Sequence, residues 1–146
     1  MSPMNRLSEL KENRKLDNKG FSLVELIIVI AIMAVLIGVL APQYLKYVQR
    51  SRESADLDSI NTMIHAVEIY NADPETTTLA TGDIIGGNTV TVSSSIQKAL
   101  TDSGMPTLPQ MKSEEYQNGW KITFVADGWS VEGESKNSKL ANALGR

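Results

Sequence analysis

The sequence has no cysteine among its 146 residues, which excludes a disulfide framework, thiolate metal sites and cysteine catalysis together while leaving an extracellular location open. Histidine occurs once, at His65. A serine triad needs that ring set against a marked nucleophile, and Ser93-Ser94-Ser95 reads instead as loop and helix cap. Zinc-ligand spacings, phosphate-binding glycine loops and internal repeats are also absent. Asp56 and Asp58 fall on a helical stretch and face partly apart. Asp127, Glu132 and Glu134 are candidate acids for a hard cation, but they lack EF-hand spacing and read as solvated charge. The chain therefore reads as a non-enzyme with no cofactor and no metal. Arg6, Lys11, Arg14, Lys15 and Lys19 all precede Gly20. The remainder is acidic and offers no basic footprint for nucleic acid.

What the chain does have is a long apolar run. From Phe21 to Ala41 every residue is apolar or small except Ser22 and Glu25. At about 1.5 Å of rise per residue such a helix spans roughly the 30 Å hydrocarbon core of a bilayer. An acid inside a span costs on the order of 2.5 to 3.5 kcal/mol at the helix centre and less near an end, so Glu25 is expected to have a partner or a task. The basic residues before the run predict that the N-terminus stays in the cytoplasm while the rest crosses. Val39-Leu40-Ala41 offers a small-residue site for ordinary signal cleavage. The apolar run is too long for that reading, carries Glu25 near its start and is followed by Pro42.

Ala31, Ala34, Gly38 and Ala41 recur at helical spacing and line one face of the span, a pattern that lets helices approach closely. Pro42 cannot donate to the Gly38 carbonyl and its ring crowds that group, so a kink or a locally melted turn is expected near residues 38 to 43. Beyond it the helical period resumes through Leu45, Val48, Leu57, Ile60, Ile64 and Val67, with Arg50, Arg52, Glu53, Asp56 and Glu68 largely off the stripe. Asp73-Pro74 stops this helix near Ala72. Tyr44 and Tyr47 suit either a membrane-interface belt or core packing, and His65 is expected at the surface.

The remaining chain has room for one modest domain. Ile84-Ile85 and Thr89 to Val92 flank Gly86-Gly87-Asn88 as a ragged hairpin. Ser94 with Gln97 offers a capping box for a short helix through Leu100 that Gly104 ends, and Pro106 and Pro109 mark an extended linker. Trp120 to Ala126 alternates as a strand, Asp127-Gly128 turns it, and Trp129 to Gly133 returns. Ser138 to Leu144 suits a final helical turn or two. The fold class is α+β: a long N-terminal helix, membrane span plus amphipathic half, packed on a small antiparallel sheet.

The run Gly20-Phe21-Ser22-Leu23-Val24-Glu25, with the basic leader before it, the span after it and Pro42, resembles the type IV pilins and the related pseudopilins. The resemblance covers about residues 14 to 50. It implies a pilin-like fold with three parts: a cytoplasmic leader, 1–20, removed on maturation; a transmembrane and filament-core half-helix, 21–42; and a head, 43–146, that includes the amphipathic half. Prepilin peptidase would cut between Gly20 and Phe21, and Phe21 would then be N-methylated. Glu25 would meet the Phe21 amine of a neighbouring subunit, with Gly38 and Pro42 also serving assembly. The implied partners are that peptidase, other subunits in a helical homopolymer and an assembly platform in the membrane. The implied location is the cytoplasmic membrane as a single pass, then an extracellular filament used in adhesion or motility. A pseudopilin of a type II secretion or competence system is one alternative. A membrane-anchored binding domain that never polymerises is another.

Overall fold

The computed structural model of the protein describes residues 20–117, 119–132 and 138–145. Helix α1 runs Leu23–Ala72, and the chain divides into two compact units, one up to Tyr44 and one from Leu45 onward.

In the first unit every described residue is exposed, including Leu26, Ile28, Ile32, Leu36 and Leu40. An 18-residue window reaches a mean hydropathy of 3.1, so among the described residues this is one helix long and apolar enough to cross a membrane. Of the kink or melted turn expected near residues 38 to 43, the melted turn is not formed: the helix is continuous with Pro42 inside it. The effect of the proline is local. It withdraws a single donor, and the helical bonds on either side still hold the backbone. A Cβ at Gly38 would meet nothing within 4 Å, so its own subunit does not require glycine there.

In the second unit α1 presents Ile60, Met63, Ile64, Ala66 and Val67 to the core. Leu57 is partly buried against the same cluster, whereas Leu45 is exposed and leaves the expected stripe. Tyr44 and Tyr47 are both exposed, which excludes core packing for them. Asp56, expected on the solvated side, is instead buried. The helix ends at Ala72, where the predicted Asp73-Pro74 stop takes effect.

Strands β1 (Gly82–Gly86) and β2 (Thr91–Val92) form the ragged hairpin. Helix α2 (Ser94–Asp102) follows, then β3 (Trp120–Val125), β4 (Gly128–Glu132) and α3 (Ser138–Leu144). The sheet has order β2-β1-β3-β4 and is antiparallel throughout. Register puts Ile84 opposite Ile122 and Ile122 opposite Val131, so the period-2 alternation sends these with Trp120 and Phe124 to one face. The other face carries Lys121, paired with Asp83 at 3.4 Å and Glu132 at 3.0 Å. The β3–β4 turn consists of Ala126 and Asp127, one residue earlier than expected, and Gly128 opens β4 at φ +145°. Gly133 lies outside the described residues.

The cap of α2 also differs. Ser93 holds the N-cap position in place of Ser94, and it caps with its backbone alone, the Gln97 N–H donating to the Ser93 carbonyl at 2.8 Å. Its hydroxyl is committed to β1, accepting the Asp83 N–H at 2.6 Å. The helix runs two residues past the expected Leu100 to Asp102, and Gly104, φ +89°, follows its Ser103 cap as the stop expected there, with Met105 N–H reaching the Leu100 carbonyl and Gly104 N–H the Thr101 carbonyl.

Gly86 faces the Trp120 indole, and a Cβ there would lie 1.8 Å from its ring. Gly86→Ala is therefore expected to lower head stability by about 1–3 kcal/mol, since a buried tryptophan must shift. A urea titration of the detergent-solubilised protein checks this, and an unchanged midpoint would contradict the packing described.

Candidate functional site

The candidate site is built where the chain enters the apolar helix. Gly20, Phe21 and Ser22 precede the first helical residue, and Phe21 is 91% exposed. Ser22 is the residue at which the helix begins. The Glu25 N–H donates to the Ser22 hydroxyl at 3.2 Å, and the Ser22 N–H donates to Glu25 Oε2 at 3.2 Å. This reciprocal pair is a capping box, and it satisfies two amides that the first helical turn leaves without carbonyl partners. The helical ladder opens with the Leu26 N–H on the Ser22 carbonyl at 3.2 Å. Glu25 lies in the first turn, where the helix dipole independently favours a carboxylate.

Gly20, Phe21 and Glu25 are thus gathered within one turn of the helix start. Gly38 and Pro42 are not part of that cluster, since they follow Glu25 by roughly 20 Å and 25 Å of helix at about 1.5 Å per residue. Beside Pro42, the residues Leu36, Ile37, Leu40, Ala41 and Tyr44 line an apolar recess of about 320 Å³. Ser22 was not singled out as a functional residue, although Ser-Leu-Val-Glu before an apolar run is the sequence signature of a capping box.

A second constellation belongs to the head. The buried Asp56 carboxylate accepts the Lys112 N–H at 2.9 Å, the Ser113 N–H at 2.7 Å and the Ser113 hydroxyl at 2.7 Å. It thereby ties α1 to the segment before β3. Close by, Lys139 of α3 bonds Glu53 of α1 at 3.0 Å and lies 3.8 Å from Glu115. The Glu53 hydrogen bond is the main cause that raises the Lys139 pKa above the ordinary lysine value. Burial raises that of Tyr116 in the same region.

His65 is exposed as expected, with Nδ1 3.0 Å from Glu68, whose other oxygen accepts the Trp129 indole N–H at 2.8 Å. An open recess of about 720 Å³ lies between α1 and α2, lined by His65, Tyr70, Asp73, Lys98, Asp102 and Met105 among others. Lys98 contacts the Tyr70 hydroxyl at 3.2 Å and lies 5.7 Å from its ring centre. That phenol is the largest cause of the upward shift in the Lys98 pKa. Of the acids weighed as cation ligands, Glu132 is paired with Lys121, Asp127 sits in the turn and Glu134 lies outside the described residues. Among the described residues no three His, Asp or Glu side chains converge as a metal-binding group.

Residues 15–41 match the prokaryotic N-terminal methylation motif. Over 50 residues the chain is 42% identical to type IV major fimbrial proteins FimA of Dichelobacter nodosus, a match covering 34% of this chain and 32% of the relative. A third FimA from the same organism matches equally over 31% of its length. The similarity thus spans about a third of these curated relatives. No solved structure matches the chain.

Proposed function

We propose that the chain is a type IV pilin precursor that polymerises into a surface filament after removal of residues 1–20 and methylation of Phe21. The observation that carries this reading is the Gly20-Phe21-Ser22-Glu25 cluster at the tip of an exposed apolar helix, within the methylation motif. In this reading residues 21–42 anchor the subunit in the cytoplasmic membrane and then form the filament core, while 43–146 form the head. Prepilin peptidase cuts the Gly20–Phe21 bond, other copies of the chain and an assembly platform are the further partners, and Glu25 pairs with the Phe21 amine of a neighbour.

Gly20 supports the peptidase step. A Cβ at Gly20 would meet nothing within 4 Å, so its own chain does not demand glycine there, whereas a peptidase cleft closing on extended backbone does. The mature protein is expected to have the intact mass of residues 21–146 plus one methyl group. Gly20→Val is expected to remain unprocessed, because a β-branched side chain crowds the bond to be cut. An N-terminus at Pro42, or full-length protein alone, rejects the reading. Cleavage with methylation also separates a filament subunit from a simple membrane-anchored binding domain, which has use for neither.

A further inference from the structure

We propose that Ser22 is a positioning residue for hydrolysis of the Gly20–Phe21 bond, acting by fixing where α1 begins; the inference rests on the processing reading given above. In that hydrolysis water adds across the amide. The Gly20 carbonyl carbon leaves with the leader as a carboxylate, and the Phe21 nitrogen stays on the mature chain as an amine.

The bond to be cut is two residues upstream of Leu23, the first helical residue. Carrying the helix back by one turn would need four backbone donors, the N–H groups of Glu25, Val24, Leu23 and Ser22. The Glu25 N–H would have to reach the Phe21 carbonyl, and the Ser22 N–H the carbonyl four residues before it. The first and the last of these four are already occupied by side chains, Glu25 N–H by the Ser22 hydroxyl and Ser22 N–H by Glu25 Oε2, each at 3.2 Å. The box therefore competes directly with the Glu25 bond to the Phe21 carbonyl, the first that would have to form for the helix to grow back through Phe21 toward Gly20.

The competition matters because of what flanks it. Downstream lies a continuous run of Leu, Val, Ile and Ala whose backbone groups, in a bilayer, gain from any intrahelical partner. Upstream, a scissile amide wound into a helix has its carbonyl engaged and its flanks curled away from an extended cleft. Gly20 and Phe21 are non-helical and exposed, the state a peptidase needs. Ser22 thus stops the helix short of the bond, and Glu25 serves as the reciprocal cap before it takes any partner in a filament.

The test uses full-length precursor in lipid vesicles with purified prepilin peptidase, read as initial cleavage rates against substrate concentration. Ser22→Ala removes the acceptor that competes for the Glu25 N–H. A helix-extended fraction then withdraws precursor from the competent pool, raising KM by up to about fivefold with kcat unchanged. Ser22→Asn caps comparably with an amide in place of a hydroxyl and is expected to restore the wild-type KM. In parallel, the Phe21 Cα chemical shift of labelled precursor in bicelles should move to helical values in Ser22→Ala and return in Ser22→Asn. Wild-type kinetics and an unmoved shift for Ser22→Ala overturn the inference. So does slow cleavage of Ser22→Asn equal to that of Ser22→Ala, which would assign the hydroxyl to direct contact with the peptidase. Wild-type precursor that is not cut at Gly20 removes the processing reading itself, a failure the chemical shifts distinguish because they are measured without peptidase.

Discussion

Glu25→Ala is expected to reduce sheared filament yield by more than tenfold while total membrane-inserted protein stays at or above the wild-type level. Two charges about 4 Å apart attract by roughly 4 kcal/mol at an effective dielectric near 20, which is far more than a tenfold change in an association constant. The Ser22 N–H engages Oε2 of Glu25, and no hydrogen bond to Oε1 is found among the described residues, so an amine can approach without dismantling the cap. Insertion should not suffer, since alanine removes an acid whose burial in lipid is unfavourable. Glu25→Gln separates the two roles, because glutamine retains the capping geometry of the box without the charge. Loss of filaments in both variants assigns assembly to the charge, whereas loss in Glu25→Ala alone assigns it to the cap. Wild-type yield from both removes Glu25 from the assembly mechanism.

The second large effect is expected in the head. Asp56→Ala should destabilise it by about 3–5 kcal/mol, because an acceptor is deleted from beneath buried donors that have no replacement. Ser113 is fully buried and directs both its N–H and its hydroxyl at this carboxylate. Without Asp56 those groups stay desolvated and unpaired, or the segment opens to water and the packing of Met111 and Tyr116 goes with it. Ser113→Ala removes one donor to Asp56 and the acceptor of the Tyr116 N–H, and should cost about 1–2 kcal/mol. Urea titrations of both variants decide the point, and a shift below about 1 kcal/mol for Asp56→Ala would show that the clasp contributes little.

The same two sites show what the sequence disclosed. The end of α1 at Ala72 and the alternation of Trp120, Ile122 and Phe124 rest on strong local signals, a proline stop and a period of 2, and the structure has both. Asp56 shares the helix face of Ile60 and Met63 by spacing, but its chemistry placed it among the solvated residues. Its partners are backbone and hydroxyl groups some 56 residues downstream, and no local pattern announces such a pairing. In the Ser93-Ser94-Ser95 run, three equivalent candidates compete for one cap, and the hydroxyl bond of Ser93 to β1 decides between them, again through a tertiary contact. The Ser22–Glu25 box is different, since its spacing is legible. Reading Glu25 only toward a neighbouring subunit hides its bond to its own chain.

The sheet has a consequence for how such heads behave when crowded. One of its edges is β2, only Thr91–Val92, and the other is β4, which begins at a glycine and ends at Glu132. An open strand edge is a template for adding strands from other chains, and short or charged edges are the usual defence against it. A two-residue edge offers too few free amides and carbonyls to hold a foreign strand, and β4 is a five-residue edge that closes on the charged Glu132, held by Lys121 at 3.0 Å. Heads of this fold brought to high local density, as in the proposed filament, are thereby kept from fusing sheet to sheet. In the filament proposed above, order between subunits would then be left to the helices, since edges that template no foreign strand do not seed cross-β aggregates.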